Sequence, residues 1–279
     1  MQQYETVPDD RVLDPVYRTE GEANWTSWHQ TAMLVRHLTW RSLAARYRGS
    51  ALGFLWTLVN PICLMFVYTF VFGVIFGVKT PTGIPFQVYL ITGLLAWNFF
   101  STASLHAAVS LVMGSALVNK CAFPRIALPA SAVLANLVNY VVALPLLIIF
   151  VIISGVNPNS TILLLPLGLI LLTMISTGLG ALLSSLMPFF LDLQHLIEVF
   201  MTMWFFLTPI VYQFNQVPQQ WMFLYKLNPM VGIVLLMQSI FLGQPIDVSS
   251  LLIAAIESCV VFVVGLVVFN RLSVHCTEA

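Results

Sequence analysis

RYRGSALGFLWTLVNP, residues 46–61, sets two arginines, two glycines and a long apolar run in one stretch and closes on Asn-Pro. The residues leading into it, 33–48, read as a helix in which Trp40, Leu43 and Tyr47 share one stripe and His37, Arg41 and Arg48 a neighbouring one. Arg36 and Arg46 spoil the separation, so the amphipathicity is partial. Cationic heads on aromatic and aliphatic bodies suit the boundary between water and lipid, with guanidinium groups near lipid phosphate. Gly49, Ser50 and Gly53 let the chain turn sharply. Asn60-Pro61 is expected where the first spanning helix begins, because proline is harmless in a first helical turn. These letters dictate an interfacial helix, an elbow and a membrane helix.

The rest of the chain agrees. Of its 279 residues, 59% are hydrophobic and only 8% charged, with a mean hydropathy of +0.92. A soluble domain carries roughly 25% charged residues, so this composition specifies an integral membrane protein. The formal net charge is zero, which gives no basis for nucleic-acid binding. No Asp, Glu, Lys or Arg occurs in 49–78, 80–119, 126–191 or 258–270. Each of the three longest gaps exceeds the roughly 20 helical residues that cross lipid. The apolar runs are continuous where a lipid-facing barrel would alternate, so strands are disfavoured.

Six spanning helices are predicted at 59–78, 86–113, 126–154, 162–187, 196–212 and 251–270, within a single transmembrane domain covering 51–279. Residues 1–28 read as a polar tail with no apolar core, unlike a cleavable signal peptide, and 29–50 as the amphipathic interface helix. Between the fifth and sixth spans, WMFLYKL at 221–227 and PMVGIVLLMQSIFLG at 229–243 are too short to cross singly. The second would be about 22 Å of helix against a core of about 30 Å. A re-entrant hairpin over about 213–245 is therefore predicted, and backbone that breaks at membrane depth is tolerated only against protein or a wet cavity.

Orientation follows from the basic residues. A cytoplasmic N-terminus collects Arg36, Arg41, Arg46, Arg48, Lys120, Arg125 and Arg271 inside and leaves Lys79 and Lys226 outside, with both termini cytoplasmic.

Some side-chain chemistry can be excluded. The lysines Lys79, Lys120 and Lys226 follow Val, Asn and Tyr, so there is no Gly-Lys phosphate loop and this chain does not hydrolyse ATP itself. No paired-carboxylate, zinc-protease or nucleophile-elbow pattern occurs, and no metal ligand set is predicted. Cys63, Cys121, Cys259 and Cys276 fall singly and are read as small buried hydrophobes. His106 is expected to make a hydrogen bond within the bundle, and Glu257 to be protonated or hydrogen-bonded in a structural role. Asp192 stands where a helix restarts and is expected to cap it.

RYRGSALGFLWTLVNP also resembles the start of the first transmembrane helix in type-2 ABC export permeases. The likeness is to the polysaccharide and polyol-phosphate exporter family, which moves O-antigen, capsule and teichoic acid chains. FPRIALP at 123–129, MPFFLDLQH at 187–195, FFLTPIVY at 205–212 and LNPM at 227–230 extend it in the family's order. One departure is Gln238, where many members carry an arginine in the hairpin.

The resemblance implies a channel-forming subunit in a bacterial inner membrane that exports a lipid-linked polysaccharide as a homodimer. Two copies of a separate cytoplasmic ATPase would bind ATP and Mg, so no cofactor is expected in this chain. It implies a coupling segment in ALVNKCAFPRIALP at 116–129, carried by Lys120, Phe123, Pro124 and Arg125, with Asp192 on the next cytoplasmic turn. It implies an interface helix working through Arg41, Arg46, Tyr47 and Arg48, and a channel along the first and fifth spans at Phe66, Phe70, Trp204, Phe205 and Tyr212. Alternatives are an ABC permease for drugs or small lipids, which shares the architecture, and an ion-coupled secondary transporter. The latter should show paired membrane charges and an inverted repeat, and neither is apparent.

Overall fold

The computed structural model describes residues 28–49, 53–78, 80, 83–118, 123–156, 160–190 and 192–273. Residues 1–27 of the polar tail, the segment holding Lys120 and Cys121, and Cys276 lie outside the described residues. The described residues are helical with no strands. Five helical stretches among them are long and apolar enough to cross a membrane, which makes the chain an all-α, multi-pass membrane protein.

Helix α1, Trp28–Tyr47, precedes a short 3-10 turn at Gly53–Leu55. Its packed face is Leu38, Thr39 and Leu43, with Leu34 and Val35 alongside. Trp40, expected on one stripe with Leu43, is instead 74% exposed while Leu43 is 9% exposed. The inward side carries Thr39, whose hydroxyl bonds the Val35 carbonyl at 2.7 Å and lies 3.4 Å from the Ser131 carbonyl of a neighbouring helix.

Helix α2, Trp56–Tyr68, starts earlier than predicted and continues as π-helical turns through Thr69–Ile75. Pro61 therefore sits inside the helix and not in its first turn, and it leaves the Thr57 carbonyl without its usual i→i−4 donor. Most of α2 stays on the surface of the chain, with Phe66, Val67, Phe70, Val74, Ile75 and Phe76 exposed.

Helix α3, Phe86–Met113, forms the centre of the bundle and packs against α4 (Ala127–Ile153) and α5 (Leu165–Leu186). Its small side chains Ala96, Ala103, Ala107 and Ala108 are fully buried and let neighbouring backbones approach closely. Helix α9, Val248–Leu272, lies along α5 with Gly265 on Gly178. A Cβ built at Gly265 would lie 2.0 Å from the Gly178 carbonyl oxygen, so the pair meets backbone to backbone.

The predicted fifth span is the clearest departure. Helix α6 covers Leu193–Phe206, 14 residues or about 21 Å, and the chain from 207 to 212 is not helical. Pro209 ends it, since proline has no N–H to give and disfavours helical geometry at the preceding Thr208. The re-entrant hairpin follows as expected. Helix α7, Met222–Lys226, and helix α8, Pro229–Leu242, belong to two arms bent by 95°. Helix α8 is buried on nearly every face, from Met230 through Val234 and from Leu236 through Leu242.

Two cysteines correct the expectation of burial: Cys63 and Cys259 are exposed. An apolar neighbourhood in sequence is shared by core-facing and lipid-facing positions, so it cannot distinguish them.

Candidate functional site

Two polar regions interrupt the apolar bundle, one at each end. The first lies at the α1 end, where α1, α2, α3 and α4 enclose a cavity of about 330 Å³. Arg46, in the last turn of α1, turns inward. Its NH1 donates to the Asn136 side-chain oxygen at 3.0 Å, and its NH2 lies 3.1 Å from His106 Nδ1. Asn136 Nδ2 is 3.2 Å from the same nitrogen and donates to the Ala132 carbonyl at 2.8 Å. Both neighbours of Nδ1 are therefore N–H donors, so Nδ1 accepts and the ring proton sits on Nε2. Thus His106 makes the bundle hydrogen bond expected of it, and Arg46, though exposed, is also tied to α3 and α4. Tyr47 joins the same wall: its hydroxyl lies 2.8 Å from Thr57 Oγ1 and donates to Asn139 Oδ1 at 3.0 Å. Arg41 and Arg48 are exposed, as is Arg46 despite its two hydrogen bonds.

The second polar region holds the broken backbone at the hairpin end. A helix terminus leaves carbonyls without partners, and in lipid each must find one within the protein. Here side chains supply them. The Tyr212 hydroxyl donates to the Phe206 carbonyl at 2.8 Å, and Asn228 Nδ2 to that of Leu207 at 3.0 Å. Gln238 Nε2 donates to Pro209 at 3.1 Å, and the Tyr89 hydroxyl to Tyr212 at 2.9 Å. Asn228 also caps α8 by accepting from Met230 N at 3.0 Å, and it accepts from Trp204 Nε1 at 2.8 Å. Tyr89, Asn228 and the hydrogen-bonding role of Gln238 escaped the sequence reading. Asn-Pro ahead of an apolar run is a helix-start signal and could have marked Asn228.

The residues expected to couple to a motor sit at the α1 end. Phe123 packs, half-buried, beside Leu38, Leu128 and Phe269, and Pro124 is half-buried. Arg125 NH1 donates to the Ser273 carbonyl at the end of α9. Asp192 occupies the cap position of α6 but makes no side-chain capping bond, so the capping expected of it is absent. Its backbone carbonyl instead accepts from His195 N and Leu196 N.

Of the residues expected along a channel, Phe66 and Phe70 are 63% and 61% exposed on α2. Phe205 is 5% exposed and stacks on Tyr68 at 5.5 Å between ring centroids, which joins α6 to α2. Trp204 borders a recess of about 500 Å³ between α6 and the hairpin, together with Phe200, Leu224 and Tyr225. The Tyr212 hydroxyl lies 2.7 Å from that of Tyr225. Glu257 lies within α9, and its Oε2 is buried with no hydrogen-bond partner among the described residues, so the hydrogen-bonded role is not seen. No group of three metal-ligating side chains occurs among the described residues.

A polytopic helical protein with a broken helix clipped at one end and a polar cavity at the other has the architecture of a membrane transport subunit. Residues 33–242 match the family described as ABC-2 type transporter, and the chain belongs to that family. It is 35% identical over 215 residues to the O-antigen export system permease protein RfbA of Myxococcus xanthus, covering 76% of this chain and 82% of that protein. It is 27% identical over 245 residues to the protein of the same name from Klebsiella pneumoniae, covering 86% of this chain and 92% of that one. The polysialic acid transport protein KpsM of Escherichia coli is 26% identical over 239 residues, covering 85% and 92% respectively.

Proposed function

We propose that this chain is the transmembrane subunit of an ATP-driven exporter that moves a lipid-linked polysaccharide from the cytoplasmic side of a bacterial inner membrane. The observation that carries this reading is the match to O-antigen and polysialic acid permeases across nearly their whole length. A likeness confined to a spanning helix or two would support only membrane insertion.

In this reading the chain forms a homodimer with both termini in the cytoplasm, and two copies of a separate ATPase bind ATP and Mg. The α1 end, with its arginines, faces the cytoplasm, as the distribution of basic residues favours. ATP binding draws the two motor subunits together against the turn at Phe123, Pro124 and Arg125, with Lys120 just before it and Asp192 on the neighbouring turn. Arg125 is tied to Ser273, so a push there is passed to α9 as well as to α4. The glycan chain passes along α2 and α6, where exposed aromatic rings offer many similar weak contacts to the CH faces of sugars. Its anionic lipid-linked end enters near the arginines of α1, whose charge suits a phosphate group.

The test is ATP hydrolysis by the purified complex with its ATPase subunit, wild type against Phe123→Ala. Loss of substrate-stimulated hydrolysis with an unchanged basal rate supports the coupling role. Arg125→Ala is a poorer probe, because it also frees the Ser273 carbonyl. If the chain reconstituted alone drove solute uphill on an ion gradient, the reading would be overturned.

A further inference from the structure

The cavity at the α1 end has a chemistry of its own, distinct from the motor turn and from the aromatic surface of α2. Asn60 and Asn98 both line it, and neither side-chain amide makes a hydrogen bond among the described residues. An amide presents donor and acceptor side by side, which matches a hydroxyl group, itself both donor and acceptor. Behind them, the rings of Phe99 and Tyr140 form a fixed aromatic wall with centroids 5.5 Å apart.

The charge balance is equally specific. No carboxylate lines the cavity, and Arg46 makes no ion pair among the described residues. Its two hydrogen bonds go to acceptors without charge, Asn136 and His106, which aim the guanidinium without neutralising it. Arg46 is exposed on the side away from these partners, and its fork suits phosphoryl oxygens. At about 330 Å³ the space lies near the lower end of the roughly 300–1,000 Å³ of ligand pockets, enough for one sugar ring.

We propose that this cavity binds a single phosphorylated sugar unit. The hexose ring sits against Phe99 and Tyr140 with its hydroxyls on the Asn60 and Asn98 amides, and its phosphoryl group sits on Arg46. This assignment rests on the exporter reading and deepens it, since a glycan joined to lipid through phosphate carries one such unit, at the junction. The cavity would then hold the end of the substrate while the chain ahead of it moves.

The experiment is equilibrium binding of tritiated N-acetylglucosamine 1-phosphate, galactose 1-phosphate and mannose 1-phosphate to the full chain with its ATPase subunit, in nanodiscs of zwitterionic lipid. Saturable binding of at least one probe is expected, weakened tenfold or more by Asn98→Leu and by Arg46→Gln. Melting curves and gel filtration of each variant confirm that it is folded, and Asn60→Leu serves as a second probe of the amide wall. Absence of saturable binding for all three sugars would overturn the proposal, as would undiminished binding in folded Asn98→Leu and Asn60→Leu. Equal displacement by inorganic phosphate would reduce the site to a bare cation, and equal displacement by phosphatidylglycerol nanodiscs would make it a lipid-headgroup site; either sinks the sugar assignment. Cell-surface glycan is measured in parallel. Glycan export without sugar-phosphate binding removes the cavity assignment alone, whereas binding without export supports the cavity and removes the exporter reading.

Discussion

The hydroxyl of Tyr89 lies 2.9 Å from the carbonyl oxygen of Tyr212 and 3.4 Å from that of Pro209, so one side chain on α3 holds two turns of unwound backbone beyond α6. With Gln238 on the same Pro209 carbonyl, this clip lets a 14-residue helix stop inside the bundle without stranding its polar ends.

Tyr89→Phe removes the clip and keeps the ring. The Tyr212 carbonyl loses its partner, whereas that of Pro209 keeps Gln238, so the chain should lose about 1–2 kcal/mol of stability. Melting of the purified protein checks this, and Tyr89→Phe matching wild type would show that the clip contributes little.

Asn228→Ala should lose more, about 2 kcal/mol or above, because it removes the α8 cap and the links to Trp204 and Leu207 together. Asn228→Asp keeps the acceptor oxygen for Met230 and Trp204 but turns a carboxylate oxygen towards the Leu207 carbonyl in place of the Nδ2 donor, so it too should melt below wild type.

Gly265→Ala is expected to be worse than either. Its methyl group would meet the Gly178 carbonyl oxygen at 2.0 Å, and backbone cannot swing aside as a side chain does. A loss of about 3 kcal/mol or more, or failure to purify, should follow. Gly73→Ala, which meets only side chains, the Phe86 ring at 3.2 Å and the Thr69 methyl at 3.6 Å, serves as the milder control in the same assay.

Acid should loosen the hairpin end through Asp247. Burial alone would raise its carboxyl, but hydrogen bonds from Ser249, Ser250 and Lys226 and the Lys226 charge outweigh burial and hold it at about 2, below the ordinary 3.8. A depressed carboxyl stabilises the fold above its unfolded value and loses that contribution as protons return. Melting temperature should therefore fall between about pH 4 and pH 2 in the wild type and change less in Asp247→Asn. Identical acid profiles for the two would remove Asp247 as the cause.

How much of this was legible depended on what hydropathy encodes. Long charge-free runs located α3, α4 and α5 to within a few residues, and a long apolar run interrupted by Glu257 located α9, because an apolar stretch of that length has one stable solution in lipid. The same runs carried no information about which face turns inward. Phe205 and Phe66 look alike in sequence, yet one is packed on Tyr68 and the other faces outward. Cys63 and Cys259 were misplaced for the same reason.

Arg46 was harder still. An arginine at a helix end near the membrane surface is satisfied equally by lipid phosphate or by protein, and only partners 60 and 90 residues away decide the matter. The early end of α6 was readable in principle from Thr208-Pro209, but the apolar run continues through it and masked the break.

Helix α9 is fastened at both tips, to Lys226 through Asp247 and to Arg125 through Ser273, and pinned in the middle where Gly265 rests on Gly178. Its 25 residues make a rod about 37 Å long, seated backbone to backbone on α5. In the coupling proposed above, a push at Arg125 would be felt along the whole of this rod, at Gly265 and at Asp247 alike.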